Sequence, residues 1–329
     1  MSQPTPSPSS VTLPTRYGWI GLGAMGYPMA MQLRKKLPTH NTLSIYDVNA
    51  RALQSFVEET KEFGDVSIAA SAKEVTEGAD CVFVMVPEGE HVKAVFLTPD
   101  TGVLAADIAG KLFIDCSTID RASSLAVGEA IAAASSSQPA HFYDAPVSGG
   151  TIGAEKATLT IMVGIAPSSP HFPLLHALLS LMGSKIYPMG GPSLGLAAKL
   201  SNNYISSLIA LATAEGMNLG MRLGLDAKVF SECLKTCTGS SWINSDMNPV
   251  PGVCPNAVTS KGYEGGFKVQ LMKKDLGLAI KAAEQVDAKI VLGHTGLEAY
   301  TAASDDPRCR DRDARVVYRW LGGVEPEVK

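Results

Sequence analysis

This chain of 329 residues lacks several features that mark common functional classes. Its 6 cysteines form no CxxC pair, and its 6 histidines form no HxxxH or HExxH pattern. The sequence therefore predicts reduced, buried thiols and no metal site. Only 18% of the residues are charged, the formal charge is −4, and no basic tract stands at either end. This balance argues against nucleic acid or an anionic membrane as the main partner, and no apolar run is long enough to predict a membrane span.

What the chain has in quantity is apolar material, with 46% hydrophobic residues, and its length allows two domains or one large one with a substantial core. Residues 1–15 are rich in Ser, Pro and Thr, show no periodic pattern, and are predicted to be disordered. No arginine precedes Arg16, so this segment is a poor match to a mitochondrial transit peptide, and no secretory signal pattern is present. We therefore expect an intracellular protein.

A glycine motif follows the first predicted strand, Tyr17–Ile20, and is followed by a predicted helix, Tyr27–Lys36. In a GxGxxG motif of this context the first glycine permits the tight turn. The second lets the backbone approach a pyrophosphate, and the third lets the helix pack on the strand. An ordinary strand–helix turn is the alternative reading. The predicted cofactor-binding residues of the motif are Gly21, Leu22, Gly23, Ala24, Met25 and Gly26.

An acidic residue, Asp47, ends the next predicted strand, Leu43–Asp47. In this position a carboxylate accepts hydrogen bonds from the adenine ribose hydroxyls and repels a 2′-phosphate. The sequence therefore predicts NAD rather than NADP as the cofactor, although Arg51 lies close enough to soften that preference.

Further apolar strands alternate with helical stretches, which is typical of a parallel, doubly wound sheet. The predicted strands are Val66–Ala69, Cys81–Val86, Leu112–Cys116 and His141–Ala145, with Leu159–Val163 as a possible last, antiparallel strand. Ligands bind beyond the carboxyl ends of such strands. The residues that follow strand ends are therefore candidates for the site: Val86, Pro87, His91, Ser117 and Thr118. His91 equally fits a solvent-facing position at the start of a helix.

The turn Ser148-Gly149-Gly150 follows the sixth strand and offers a hydroxyl and unobstructed amides for a carboxylate, or is simply a flexible loop. A long helical run, from Ala197 to about Leu223, comes later and is apolar nearly all round, which predicts burial. It carries Lys199 and Asn203 one helical turn apart, on one face. A lysine on a helix is ordinarily a solvated charge, but burial lowers the pKa of an ammonium group and suits it to proton transfer.

After this run the pattern is helical throughout, with an irregular stretch at 240–266. The predicted helices are Ala227–Thr236, Phe267–Val286, Ile290–Ala303 and Arg312–Leu321. The fold class is thus α/β, a Rossmann-type doubly wound sheet domain (16–192) followed by an all-α domain (193–329) and joined to it by a long interdomain helix. We expect a small substrate between the two domains.

The motifs together resemble the β-hydroxyacid dehydrogenase family and cover the chain from about residue 17 to residue 322. The matching stretches are Gly21–Met29, Phe113–Asp120, Asp144–Gly150, Gly195–Asn203, Ala214–Leu225, Asn248–Val253 and Gly265–Ala279. The last two favour the branch of the family that acts on 3-hydroxyisobutyrate. Imine-reducing relatives usually lack a lysine at position 199, and non-catalytic, nucleosome-associated relatives lack it as well.

The resemblance implies specific roles. Lys199 is the catalytic acid–base group, Ser148, Gly149 and Gly150 hold the substrate carboxylate, and Asn203 positions the substrate. Asp275 orients the surroundings of the lysine at the substrate. Val86, Pro87, His91, Thr118 and Lys274 contact the nicotinamide cofactor. From the pattern alone, the charged positions at 273–275 also fit a solvated helix face.

The expected function is NAD-dependent oxidation of 3-hydroxyisobutyrate to methylmalonate semialdehyde, a step of valine breakdown. The alternatives are a related 3-hydroxy acid dehydrogenase or semialdehyde reductase, an imine reductase, and a non-catalytic dinucleotide-binding protein on the same fold. The resemblance also implies a homodimer or homotetramer, and a place in the mitochondrial matrix, with the cytoplasm as the alternative.

Overall fold

The computed structural model describes residues 11–135 and 138–325. Most of the segment predicted to be disordered, residues 1–10, lies outside the described residues, and residues 11–15 contain neither helix nor strand. The chain divides into two compact units, the first ending at Lys199 and the second beginning at Leu200. The predicted domain boundary, between residues 192 and 193, stays a prediction.

The first unit is built on a six-stranded parallel sheet with helices between the strands, as predicted. In chain order its elements are β1 (Arg16–Ile20), α1 (Gly26–Lys36), β2 (Thr42–Tyr46), α2 (Ala50–Thr60), β3 (Val66–Ile68), α3 (Ala72–Glu77), β4 (Cys81–Val84), α4 (Gly89–Leu97), a 3-10 turn (Val103–Ala105), β5 (Leu112–Asp115), α5 (Arg121–Ala134) and β6 (His141–Asp144). The strand order β3-β2-β1-β4-β5-β6 reverses direction between β1 and β4, and ligands of doubly wound sheets bind at such a point.

Both faces of this sheet are covered, which explains why its strands are apolar without alternation. Tyr17 and Trp19 of β1 belong to a core on one face, and Trp19 stacks on Phe83 of β4 with ring centroids 5.4 Å apart. Ile20 and Val82 belong to a second core on the other face. The sheet is therefore rigidly held where its carboxyl ends approach the glycine turn.

A second, three-stranded sheet follows in the first unit and corrects one prediction. Its region contains β7 (Val147–Ser148), α6 (Gly150–Glu155), β8 (Leu159–Val163), α7 (Phe172–Leu179) and β9 (Gly183–Pro188). The predicted antiparallel strand Leu159–Val163 is confirmed, since β8 has these bounds and pairs antiparallel with β7. It is not the last strand, because it also pairs parallel with β9. Pro146 lies between β6 and β7 and is not among the residues of β6 that pair with β5. Its carbonyl instead accepts a hydrogen bond from Met162 of β8.

The long helix, α8 (Leu194–Arg222), has 29 residues, and the boundary between the two units falls within it. Lys199 and Asn203 are buried, with 8% and 7% of their surfaces exposed. The expectation that the helix is buried nearly all round is wrong for another face. Ile205 and Leu219 are 56% and 62% exposed, because they lie on a stripe of apolar residues that no described part of the chain covers.

The second unit is helical, as predicted, and the only strand-type pairing among its described residues is an isolated bridge between Lys268 and Asp313. Its further elements are α9 (Ala227–Thr236), α10 (Trp242–Asp246), a 3-10 turn (Val258–Lys261), α11 (Val269–Glu284), α12 (Gly293–Asp305), a 3-10 turn (Ala314–Val316) and α13 (Val317–Trp320). The predicted single helix over Arg312–Leu321 is wrong. The Asp313 carboxylate caps the 3-10 turn and accepts from the Phe267 amide at 2.9 Å, which holds residues 312 and 313 outside any helix.

Across the described residues, no helix combines the length and the apolar character that crossing a bilayer requires.

Candidate active site

The glycine motif forms the turn between β1 and α1, and two of its glycines are required by close backbone approach. Gly21 has φ +98°, and a Cβ there would lie 2.2 Å from the Met85 carbonyl oxygen. A Cβ on Gly26 would lie 2.0 Å from the Gly21 carbonyl oxygen. Gly23 is different, because a Cβ there would meet nothing within 4 Å. Gly23 and Ala24 are exposed, whereas Leu22 is buried and Met25 is half-buried. The turn is thus tight on its inner side and open at Gly23, as a bound pyrophosphate requires.

Asp47 follows β2 and is bound to the same turn. Its Oδ2 accepts a hydrogen bond from the Leu22 amide at 2.5 Å, and its Oδ1 accepts from the Asn49 amide at 2.7 Å. An ionised carboxylate has about four acceptor positions, so two remain for other donors. The half-buried carboxylate therefore fits the ribose contact predicted for it while it also fixes the turn.

The residues after β4 and β5 lie at the same edge of the sheet. The Val86 amide donates to Ser117 Oγ at 2.9 Å, and the Ser117 amide donates to Asp115 Oδ1 at 3.0 Å. Val86 is half-buried beside the turn, since its Cγ1 would lie 3.1 Å from a Cβ on Gly21. Thr118 is half-buried at this edge. The predicted cofactor residues of β1, β2, β4 and β5 are thus brought together.

Two of the predicted cofactor residues in the first unit are exposed, unlike the half-buried Val86 and Thr118. Pro87 directly follows Val86 on the surface, and His91 is the third residue of α4 at an exposed position. The remaining one, Lys274, lies in the second unit.

The turn predicted to hold a carboxylate begins at the end of β7. Ser148 is half-buried, and the two glycines after it have left-handed backbone, with φ +137° at Gly149 and φ +64° at Gly150. A Cβ on Gly149 would lie 3.0 Å from Leu159 Cδ2, whereas a Cβ on Gly150 would meet nothing within 4 Å. This turn needs its glycines, and it leaves open space beside Gly150.

Sequence reasoning missed the residue that fixes the start of α8. Asp144 ends β6, is 2% exposed, and accepts hydrogen bonds from the amides of Ser193 and Leu196, both at 2.8 Å. The fit is tight, because a Cβ on Gly195 would lie 2.8 Å from Asp144 Oδ2. Lys199 follows Leu196 by one helical turn, so Asp144 sets where the lysine-bearing turn begins. An aspartate quoted within a strand-end motif was the available signal, but only the fold shows which amides it reaches.

Two buried carboxylates stand side by side here, because Asp115 of β5 and Asp144 of β6 are paired in register. Burial raises the pKa of the Asp115 carboxyl to about 6, and the charge of Asp144 adds to the shift. Burial also raises the pKa of Asp144, although the amides of Leu196 and Ser193 oppose this. The Asp115 carboxyl is another functional group that the sequence pattern did not single out.

In the second unit, three predicted residues converge. Asn203 Nδ2 donates to Asp275 Oδ2 at 2.6 Å, and Lys274 Nζ lies 3.1 Å from Asp275 Oδ1. Asp275 is 2% exposed and Lys274 is half-buried. These residues are therefore not a solvated helix face. The carboxylate holds the amide of Asn203 in one orientation and balances the neighbouring ammonium group.

Comparison with known families matches nearly the whole chain. Residues 16–191 match the NAD binding domain of 6-phosphogluconate dehydrogenase. Residues 194–321 match the NAD-binding domain of NADP-dependent 3-hydroxyisobutyrate dehydrogenase. The first match is consistent with the open glycine turn and the spare acceptors of Asp47, so the chain binds a nicotinamide dinucleotide of the NAD type.

Individual relatives agree. A 3-hydroxyisobutyrate dehydrogenase of Pseudomonas aeruginosa is 40% identical over 280 residues, 85% of this chain and 89% of the relative. An NAD-dependent L-serine dehydrogenase of the same organism is 38% identical over 86% of this chain and 90% of its own length. The solved structure of Mycobacterium tuberculosis 3-hydroxyisobutyrate dehydrogenase with L-serine has a TM-score of 0.79 and 33% identity, and covers 93% of this chain and 99% of its own. The chain therefore belongs to the 3-hydroxyisobutyrate dehydrogenase family of NAD-binding oxidoreductases.

Proposed function

We propose that this enzyme oxidises 3-hydroxyisobutyrate to methylmalonate semialdehyde with NAD, as a step of valine breakdown. The observation that carries the proposal is Lys199, a buried lysine at the start of a helix whose first turn is fixed by Asp144. A buried amine in a rigid position is suited to accept the proton of a substrate hydroxyl.

The proposed chemistry needs one proton acceptor and one hydride acceptor. NAD, when bound, supplies the hydride acceptor. Lys199 takes the hydroxyl proton as the C–H bond of the same carbon breaks, and it returns the proton in the reverse reaction. Ser148 and the open amides of Gly149 and Gly150 bind the substrate carboxylate. Asn203, oriented by Asp275, donates to or accepts from the substrate oxygens.

The preference for NAD over NADP rests on Asp47. Its carboxylate is tied to the Leu22 and Asn49 amides, so it cannot turn away from the ribose position without breaking the glycine turn. A fixed negative charge there disfavours a 2′-phosphate, which carries negative charge of its own.

A second candidate substrate is L-serine, since one relative of 38% identity is an NAD-dependent L-serine dehydrogenase. L-serine has the same carboxylate and primary hydroxyl as 3-hydroxyisobutyrate and differs at the middle carbon, where an amino group replaces a methyl group. The groups assigned to Lys199 and to the Ser148–Gly150 turn would act on both compounds.

A substrate panel separates these candidates. The purified chain is assayed with NAD or NADP and with 3-hydroxyisobutyrate, L-serine, 3-hydroxypropionate, glycerate or 4-hydroxybutyrate, by the absorbance of the reduced nicotinamide. We expect kcat/KM with NAD to be at least about tenfold higher for 3-hydroxyisobutyrate than for L-serine. The reverse order would assign the enzyme to L-serine. Absence of activity with every compound would contradict hydroxy acid oxidation. The negative control is 4-hydroxybutyrate, in which one more carbon separates the hydroxyl from the carboxylate.

We also propose that the enzyme forms a homodimer or homotetramer through an apolar stripe of α8. Its members recur at spacings of three and four residues on one exposed face, and the last of them lies just beyond the helix: Ile205, Ile209, Ala212, Gly216, Leu219 and Leu223. Gly216 leaves open space within the stripe, which permits close approach of another helix. Leu219→Glu should lower the mass measured by light scattering to that of a monomer, whereas Val229→Glu, at an exposed position outside the stripe, should not. An unchanged mass in Leu219→Glu would place the contact elsewhere.

The mitochondrial matrix stays a prediction of the family resemblance. It is tested by expressing the tagged full chain in eukaryotic cells and separating mitochondria from cytoplasm. Recovery of the tag in the cytoplasm alone would contradict it.

A further inference from the structure

Two cysteines stand together at the surface of the second unit. Cys233 lies on the last turn of α9, Cys237 is the first residue beyond that helix, and their Sγ atoms are 3.7 Å apart. Both side chains are exposed, so the prediction of buried thiols is wrong for these two cysteines. Nothing in the dehydrogenase chemistry proposed above uses them.

The other four cysteines have different surroundings. Cys81, Cys116 and Cys309 are buried, and burial raises the pKa of each of their thiols, which suppresses the reactive thiolate. Cys254 is half-buried, and its Sγ donates to the Ser245 carbonyl oxygen at 3.5 Å. Cys233 and Cys237 are therefore the accessible pair of thiols among the described residues.

We propose that Cys233 and Cys237 are a redox-active dithiol that hydrogen peroxide or an organic hydroperoxide converts to an intramolecular disulfide. One thiolate attacks a peroxide oxygen, the O–O bond breaks, and a sulfenic acid and an alcohol or water are formed. The second thiolate then attacks the sulfenic sulfur, and water leaves. In sum, two thiols and one hydroperoxide give one disulfide, one alcohol or water, and one water. Reduction by a dithiol such as dithiothreitol restores both thiols.

The local backbone permits this closure. A disulfide bond is about 2.05 Å long, so the sulfurs must approach from 3.7 Å. α9 ends at Thr236, and residues 235–240 are exposed. Cys237 is held by a hydrogen bond from its amide to the Leu234 carbonyl at 3.3 Å and by one from the Ser240 amide to its own carbonyl at 3.0 Å, and such terminal turns open at little cost in free energy. Cys237 can therefore move toward Cys233 without disturbing the helix.

The two sulfurs also share a hydrogen bond. The Cys237 thiol, by its hydrogen bond and its charge, raises the pKa of the Cys233 thiol. Cys233 therefore holds its proton more tightly, and its sulfur lies within hydrogen-bond distance of the Cys237 sulfur.

The sequence offers a direct test by trypsin digestion, because Lys235 separates the two cysteines. The reduced full-length chain is treated with an equimolar amount of hydrogen peroxide, alkylated with N-ethylmaleimide and digested. We expect a linked pair of peptides, residues 229–235 and 236–261, and an intact mass lower by two hydrogen atoms before alkylation. Both changes should be reversed by dithiothreitol. Since Cys254 lies in the second peptide, the digest of Cys254→Ser must show the same link.

Single variants distinguish a dithiol from two independent thiols. In Cys233→Ser and Cys237→Ser the linked peptides should be absent, and the remaining sulfur should be trapped as a dimedone adduct. Phenylarsine oxide, which binds two adjacent thiols, should bind wild type and Cys254→Ser at least about tenfold more tightly than either single variant. Separate dimedone adducts on both cysteines of wild type, or equal arsenical binding by wild type and the single variants, would overturn the proposal.

Discussion

The carboxylate of Asp144 accepts the Ser193 amide on one oxygen and the Leu196 amide on the other, both at 2.8 Å. Ser193 has left-handed backbone, with φ +58°, and its Oγ accepts from Arg121 Nε at 3.0 Å. A non-glycine residue in that conformation costs free energy that its surroundings must offset. The bond that the Ser193 amide donates to Asp144 and the bond that Ser193 accepts from Arg121 do this. The two bonds that Asp144 accepts define the first turn of the helix that carries Lys199.

The first prediction concerns this anchor. Asp144→Asn retains one acceptor oxygen and places an N–H donor against the other amide. We expect the free energy of unfolding to fall by about 1–3 kcal/mol, measured by urea denaturation of wild type and variant. Asp107→Asn is the control, since exposed Asp107 accepts only one local amide, that of Ala109. Equal losses in the two variants would show that Asp144 is an ordinary turn residue.

The second prediction is a pH dependence that arises from Asp115. Burial raises the pKa of this carboxyl from an ordinary 3.8 to about 6, so the folded state holds its proton more tightly than the unfolded state. The contribution of Asp115 to the stability of wild type should then be largest below about pH 4 and should decrease as the pH rises from about 4 to about 6, by at most about 3 kcal/mol.

Asp115→Asn is uncharged throughout this range and should lose that decrease. The free energy of unfolding of the variant minus that of wild type should increase as the pH rises from about 4 to about 6, and should then stay constant. Urea denaturation from about pH 4 to about pH 8 measures it. A difference that does not change with pH would contradict a raised pKa.

Much of the first unit could be predicted because its signals are local in the sequence. The glycine motif needs Gly21 and Gly26 for backbone approach, and β4 and β5 are apolar because both of their faces are covered. The spacing of the glycines and the apolar character of the strands are both visible in the amino-acid sequence alone. The register of the second sheet could not be predicted in this way. It is set by pairing of β8 with Pro146 and with β9, and these partners are separated from β8 in the sequence.

The same limit applies to the candidate site. Periodicity placed Lys199 and Asn203 on one helix face, and both are buried. Periodicity could not show that Asp275, 72 residues away, accepts from Asn203. It also predicted burial for Ile205, since an apolar pattern does not say whether the chain itself or another copy covers a given face.

The third prediction tests the proton acceptor. Lys199→Ala should lower kcat by about 10²- to 10⁴-fold, the usual contribution of a general base, because no other group is assigned to take the hydroxyl proton. NAD binding, followed by quenching of tryptophan fluorescence, should change little. Lys185→Ala, at an exposed position of β9, should leave both quantities unchanged. Near-normal turnover in Lys199→Ala would refute the assigned role.

The fourth prediction tests cofactor choice. Asp47→Ser removes the negative charge beside the glycine turn and should lower the ratio of kcat/KM with NAD to kcat/KM with NADP at least about tenfold. The ratio is the proper measure, because loss of the bond to the Leu22 amide weakens both cofactors alike. Arg51→Ala should change the ratio in the opposite direction. If both variants leave the ratio unchanged, cofactor choice is made elsewhere.

The fifth prediction concerns the pair Asn203 and Asp275, whose contact of 2.6 Å joins an amide to a buried carboxylate. If Asp275 acts by orienting Asn203, then Asp275→Ala should lower kcat/KM strongly in wild type and much less in Asn203→Ala. A double-mutant cycle should give a coupling of about 1.5–3 kcal/mol, the range for hydrogen bonds to charged groups.

The free energy of unfolding is also measured for the four proteins of the cycle: wild type, Asp275→Ala, Asn203→Ala and the double variant. This measurement distinguishes a positioning role of Asp275 from a purely structural one. A purely structural role would give the same coupling in unfolding and in kcat/KM, with KM unchanged. A positioning role adds an increase in KM for the hydroxy acid that disappears once Asn203 is absent. Lys273→Ala, on the same turn of α11, is the control for general disturbance of the helix. Strictly additive losses in kcat/KM would mean that the Asp275 carboxylate acts on the substrate directly or on Lys274, which lies 3.1 Å from its other oxygen.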